Sequence, residues 1–124
     1  MSTKEIGDFG ENCVVEYIKK SGYEVIEKNY HTRFGEIDII AKDKECTVFI
    51  EVKTRKSSLY GNASEYVNPK KQEKIIKSAL SYLKDIENTE IRFDVAEVYY
   101  IEKNNKFLLK EINYIENAFL AEGI

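Results

Sequence analysis

Asp38, Glu51 and Lys53 carry charge inside two stretches, GEIDIIAKD and TVFIEVKTR, that otherwise have the composition of buried β-strand. An Asp and a Glu brought side by side are hard oxygen donors. With no His or Cys set nearby, they suit Mg²⁺ or Mn²⁺ better than Zn²⁺. Two like charges about 4 Å apart repel by roughly 4 kcal/mol at an effective dielectric near 20, so such a pair needs a cation or a shared proton. Lys53, two residues beyond Glu51 on the same side of its strand, is then positioned to stabilise negative charge on a phosphate or to orient a water. That layout suits metal-assisted phosphodiester hydrolysis. The competing reading is an ordinary Glu51–Lys53 ion pair on an exposed strand with Asp38 solvated, because E-x-K is short and abundant.

The elements that must position these groups follow from hydrophobic spacing. Ile6, Phe9, Cys13, Val14, Tyr17 and Ile18 predict a helix from a Thr3 cap to about Lys20, stopped by Gly22. Glu11 lies at the margin of its apolar arc, away from Glu5, Asp8 and Glu16. Strands are expected over about 23–30, 36–42 and 47–54, the last two as a hairpin through Asp43, Lys44 and Glu45. Alternation sets Glu36, Asp38 and Ile40 on one face and Ile37, Ile39 and Ala41 on the other. A register that pairs Asp38 with Glu51 also pairs Lys42 with Thr47 and Ile40 with Phe49, and it puts Asp38, Glu51 and Lys53 on one face. Apolar residues on both faces predict a sheet covered on both sides, which argues against simple exposure of the acids. A polar loop spans 31–35 and a surface loop 56–67. Asn68 and Pro69 open a second helix with Ile75, Ile76, Ala79, Leu80 and Leu83 as its buried stripe. Strands over 91–101 and 107–112 follow, then a tail whose Phe119 and Leu120 dock on the body. The expectation is a mixed sheet flanked by helices, α/β or α+β.

The 124 residues, 43% of them hydrophobic, fit one domain over 1–124. No apolar run follows the N-terminus and no long apolar span occurs, so a soluble, cytoplasmic protein without membrane contact is expected. Cys13 and Cys46 are far apart and read as reduced thiols. The net charge of −3 hides an asymmetry: Lys53, Arg55, Lys56, Lys70, Lys71, Lys74 and Lys77 crowd one stretch against only Glu65 and Glu73. Such a cluster suits phosphate contacts, although a solvated helix face beside a lysine-rich loop has the same composition.

G-E-I-D-I-I-A and V-F-I-E-V-K-T-R, preceded by Gly10-Glu11 and followed by Lys71-Gln72, Tyr82-Leu83 and Arg92-Phe93-Asp94-Val95, resemble the YraN family of predicted endonucleases. That family is similar to Holliday-junction resolvases and to the PD-(D/E)XK restriction-endonuclease-like superfamily, and the likeness runs from about Phe9 to Val98. It implies an αβββαβ core and a Mg²⁺- or Mn²⁺-dependent nuclease. By the resemblance, Asp38 and Glu51 are metal-binding acids, the Val52 carbonyl is a further ligand and Lys53 is the catalytic lysine. Glu11 matches a helix acid that completes the site directly or through metal-bound water; its other reading is a rim residue of an amphipathic helix. Gln72 matches a polar position that supports the site, or is an ordinary helix-start glutamine. Glu36 is read as an acid behind the ligands or as a strand-edge charge. Arg33, Arg55, Lys56, Lys70, Lys71 and His31 are candidate phosphate contacts, since these need only positive charge or donors within reach. His31 stands where many relatives have Arg. Ile37 replaces the proline of the superfamily name, which does no metal chemistry. The chain has no zinc-finger or helix-turn-helix signature, so structure-selective action on branched or damaged DNA is expected over base-specific cleavage. Resolvase-like relatives act as dimers, which implies a possible homodimer.

Overall fold

The computed structural model describes residues 2–59, 67–86 and 89–121. Helix α1 (Thr3–Lys20) is capped one residue earlier than expected, by Ser2 instead of Thr3: Ser2 accepts from the Glu5 N–H, and the Glu5 side chain reaches back to Ser2. This reciprocal pair satisfies two N–H groups that a helix start otherwise leaves open. Strands β1 (Glu24–Thr32), β2 (Gly35–Asp43) and β3 (Cys46–Lys56) follow, with a short 3₁₀ turn at Ser57–Leu59. Helix α2 (Pro69–Leu83) leads to β4 (Glu90–Lys103) and β5 (Lys106–Phe119). As expected, Asn68 caps α2, accepting from the Lys71 N–H, and Pro69 occupies its first turn. Most of the expected surface loop, residues 60–66, lies outside the described residues.

The five strands form one sheet in the order β1-β2-β3-β4-β5. β3 and β4 are parallel and all other neighbours antiparallel, so the sheet is mixed. Parallel neighbours need a long crossover, and α2 lies in it. α1 covers one face through Val14, Val15 and Ile18 on Ile39, Ala41, Val48, Ile50, Ala96 and Val98. α2 covers the other through Ile75, Ile76 and Ala79 on Ile37, Ile40, Phe49, Phe93 and Val95. Leu80 is the exception in its predicted stripe. It is 42% exposed, while Ser78 is fully buried and bonded to Thr32.

Two differences from expectation have local causes. β5 runs on to Phe119, because its pairing with β4 shifts register near Phe93/Val95 and Tyr99/Tyr100, and the irregularities erase the two-residue alternation that marks a strand in sequence. Phe119 is buried at its end as expected, whereas Leu120 is 55% exposed. The β4–β5 turn contracts to Asn104-Asn105, both with positive φ as a two-residue type I′ hairpin requires.

The other difference concerns β2. The expected register is present, with Lys42 opposite Thr47 and Ile40 opposite Phe49, but the β2–β3 ladder ends at Ile39↔Ile50. Beyond it β2 stays with β1, while β3 from Glu51 to Lys56 pairs with β4. Strict alternation also fails there. Ile37 packs in the cluster of Ile40 instead of that of Ile39 and Ala41. Asn29 of β1, level with Asp38, takes a positive φ of 53°. The two central strands part at Asp38 and Glu51.

Candidate active site

The parting of β2 and β3 creates the site. At Asp38 the strand-to-strand ladder is replaced by a side chain: Oδ2 of Asp38 accepts the Val52 N–H at 2.8 Å. The Asp38 carboxyl is also hydrogen-bonded to that of Glu51. Burial is the main reason that its pKa is pushed up to about 8, and the Glu51 carboxyl adds to the shift through both that bond and its charge. The Val52 N–H and the Lys71 ammonium act in the opposite direction without overcoming it. Asp38 therefore keeps its proton near neutral pH, one of the two ways to relieve the repulsion of neighbouring acids.

The second way is a cation, and α2 brings one. Lys71 Nζ stands 3.5 Å from Glu51 Oε2, with the Glu51 side chain 12% exposed. Lys71 reaches the acids because Asn68 fixes the first turn of the helix, and because Gln72 Nε2 donates to the Val67 carbonyl at 2.8 Å, tying down the approach to the helix. Gln72 thus secures the segment before α2.

Lys53 follows Glu51 by two residues and is half-buried on the same strand face. Its register partner on β4 is Glu97, a carboxylate only 2% exposed. Asn113 Nδ2 donates to Glu97 at 2.9 Å and the Tyr99 hydroxyl at 3.4 Å. Sequence reasoning missed Glu97; an acid inside the apolar run Val95–Ile101 is the signal that marks it.

Glu11 approaches from the opposite layer. Gly10 makes this possible: a Cβ at that position would lie 1.8 Å from Thr54 Oγ1, so only glycine lets α1 press against β3 at this height. Glu11 is half-buried, and its pKa is raised by burial and by the charge of Asp38, against a hydrogen bond from Asn29. It feels the acid pair without joining it. Among the described residues no group of three or more His, Cys, Asp or Glu side chains is gathered for a metal. The donor set is instead two neighbouring carboxylates, both hard oxygen and already compensated by a proton and an ammonium. Such a set fits a divalent cation of the Mg²⁺ or Mn²⁺ kind.

The remaining residues singled out from sequence lie farther out. His31 Nε2 and Glu36 Oε2 are 3.2 Å apart across the β1–β2 ladder, both side chains exposed. Glu36 thus faces His31 at the end of the sheet. Arg33 lies over the Phe34 ring at 4.8 Å, and Lys70 lines a small cavity beside the same ring. Arg55 is half-buried on β3, and Lys56 lines a separate cavity of about 330 Å³ with Tyr100 and Glu102.

Arg92 and Asp94 have a different task. Arg92 clasps the fully buried Asp94 through Nε and Nη2, each at 2.9 Å, and reaches Asp43 at 3.2 Å. The Tyr114 hydroxyl and the Asn117 N–H complete the shell of Asp94. Burial and the Asp94 hydrogen bond raise the Tyr114 pKa, so the phenol remains a donor. The pair fastens β5 to β4 and touches neither acid of the site.

A helix, a three-stranded meander, a crossover helix and a returning parallel strand, with acids where the first strands part, make up the restriction-endonuclease-like architecture, a fold that supports a nuclease-like, nucleic-acid-binding module. Sequence comparison makes the family specific: the model of the uncharacterised protein family UPF0102 matches residues 10–98, and the chain belongs to that family. A UPF0102 protein of Clostridium botulinum (strain 657 / Type Ba4) is 50% identical over 119 residues, covering 94% of each chain. A UPF0102 protein of Clostridioides difficile (strain 630) is 46% identical over 121 residues, 96% of this chain and all of the relative. The resemblance carried by the motifs and the family match agree. No helix among the described residues is long and apolar enough to cross a membrane.

Proposed function

We propose that this protein is a divalent-metal-dependent nuclease that hydrolyses phosphodiester bonds, with structured DNA such as branched, nicked or flapped duplexes as its substrate. The observation that carries the reading is the meeting of the Asp38 and Glu51 carboxyls at the parting of β2 and β3. Asp38, Glu51 and the Val52 carbonyl are the groups that would hold Mg²⁺ or Mn²⁺. A bound metal there supplies Lewis acidity at a phosphate oxygen and lowers the pKa of a bound water. The protein's own part is positioning and charge. The Val52 N–H orients Asp38. Lys53 donates to the phosphate and offsets the charge that grows on it, while buried Glu97 beside it on β4 keeps its strand face polar. Lys71 leaves Glu51 for the phosphate when the acids take another cation. Glu11 and Gln72 hold the neighbouring layers in position, and Arg55 and Lys56 extend the basic surface along β3. The likeness to resolvases supports a homodimer.

One observation favours a second reading, a nucleic-acid-binding module with little turnover of its own: the acids are already compensated by a proton and by Lys71, and no third carboxylate joins them among the described residues. Incubating the protein with branched and linear DNA in Mg²⁺, Mn²⁺ or EDTA separates the two. Metal-dependent cuts that vanish in Lys53→Ala support the nuclease; binding without cuts in any metal supports the module.

A further inference from the structure

The β1–β2 turn presents an aromatic ring to solvent beside the most basic helix of the chain. Phe34 is half-buried at the tip of the turn, with Arg33 4.8 Å and Lys77 5.8 Å from its ring centre. On one side, Phe34, Leu80, Arg33, Lys77 and Lys84 border a cavity of about 520 Å³; on the other, Phe34, Lys70, Lys74 and Lys77 border one of about 220 Å³. Five cationic side chains line these two cavities against one carboxylate, Glu73, which Lys77 already meets at 2.9 Å. The concentration of positive charge is local, since the chain as a whole has a net charge of −3.

The turn that carries the ring is anchored to α2. Thr32 Oγ1 accepts the Phe34 N–H at 3.0 Å and lies 2.9 Å from the hydroxyl of Ser78, a fully buried residue of α2. That hydrogen bond explains why a serine replaces an apolar residue in the buried stripe of the helix. It fixes the turn against α2, so little ordering remains for a ligand to impose. Lys70, at the edge of the smaller cavity, is the neighbour of Lys71, which touches Glu51. The groove and the acid pair are thus served by the same first turn of α2.

We propose that this groove binds single-stranded nucleic acid, one base stacking on Phe34 and the flanking phosphates lying on Lys70, Lys74 and Lys77. An aromatic platform in a positively charged channel is the combination that unpaired strands require, because every base has a π-face and every linkage a negative charge. Exposed cation–π contacts are weaker than base stacking, so a base displaces the arginine and lysine from the ring and leaves them free for phosphates. The inference rests on the nuclease reading and sharpens it: the substrate carries unpaired nucleotides.

The test measures binding in EDTA by fluorescence anisotropy, with oligothymidylate and oligouridylate of about ten nucleotides and a blunt DNA duplex. Phe34→Ala is expected to weaken binding of the single strands roughly five- to a hundred-fold and to leave the duplex unchanged, while Phe34→Trp retains wild-type affinity. A 2-aminopurine in the strand is quenched by wild type and not by Phe34→Ala. Binding of either strand type with this pattern supports the groove. Failure to bind both strands, an equal loss on duplex and single strand, or no loss at all overturns it. Because cutting is assayed separately in Mn²⁺, the two ideas fail separately: Phe34-dependent binding without cuts removes the nuclease alone, and cuts without Phe34-dependent binding remove the groove alone.

Discussion

Lys71 Nζ lies 3.5 Å from Oε2 of Glu51, so the first turn of α2 supplies the acid pair with a positive charge from within the fold. An ammonium held there competes with any divalent cation for the same carboxylates. Lys71→Met is expected to tighten Mn²⁺ binding roughly two- to five-fold, the scale of a half-exposed ion pair, while weakening binding of nucleic acid. The measurement is an electron paramagnetic resonance titration of free Mn²⁺ beside an anisotropy titration. Movement of both affinities in the same direction would contradict the competing role.

Asp38→Asn preserves shape and changes charge. The amide oxygen can still accept the Val52 N–H, and its NH₂ can donate to Glu51, so the fold survives while Mn²⁺ binding is lost. The pH dependence has a definite sign. Asp38 titrates at about 8 in the folded chain against an ordinary value of 3.8, so the folded state binds its proton more tightly. The stability from that proton is full below about pH 4 and is lost as pH rises toward 8, an effect on the order of a few kcal/mol. In metal-free urea melts, wild type should lose stability from pH 5 to about pH 8 and Asp38→Asn should not. Mn²⁺ should offset the loss in wild type alone, since its binding displaces the same proton.

Gly10 is where α1 touches β3. A methyl group there meets Thr54 Oγ1 at 1.8 Å, and a β-carbon in the middle of a strand has little room to move. Gly10→Ala should destabilise the protein by about 1–3 kcal/mol through overpacking, despite the higher helix propensity of alanine. Thr54→Ala should rescue part of this in a double-mutant cycle followed by chemical denaturation.

Arg92→Met leaves Asp94 buried with only a phenol and an amide N–H as donors. A loss of about 3–5 kcal/mol is expected, as for other broken buried pairs. Because Arg92 contacts neither acid, the folded fraction should bind Mn²⁺ with wild-type affinity; a weakened site would link this network to the metal.

Local rules carried the elements whose signals are short-range. Asn68-Pro69 marked the start of α2, the tight Asp43–Glu45 connection marked the hairpin, and alternating residues set the β2–β3 register that the structure has. The same alternation misplaced Ile37, because the break at Asp38 depends on β1 and β4 pulling β2 and β3 in different directions. Lys71 was legible as a cation but not as the partner of Glu51. That required the crossover helix to lie over the β3 strand end. Phe34 and Glu97 were passed over, since an aromatic in a polar loop and an acid in an apolar strand gain meaning only from their neighbours.

What the amino-acid sequence determined alone was therefore the chemistry available: two hard acids, a lysine at the right spacing, a basic stretch, and strands and helices in αβββαββ order. Tertiary structure decided which groups share the site. Two strands joined at one end and parted at the other bring Asp38 near enough to Glu51 for its proton to be held, and long-range packing of α2 against the sheet carries Lys71 to Glu51.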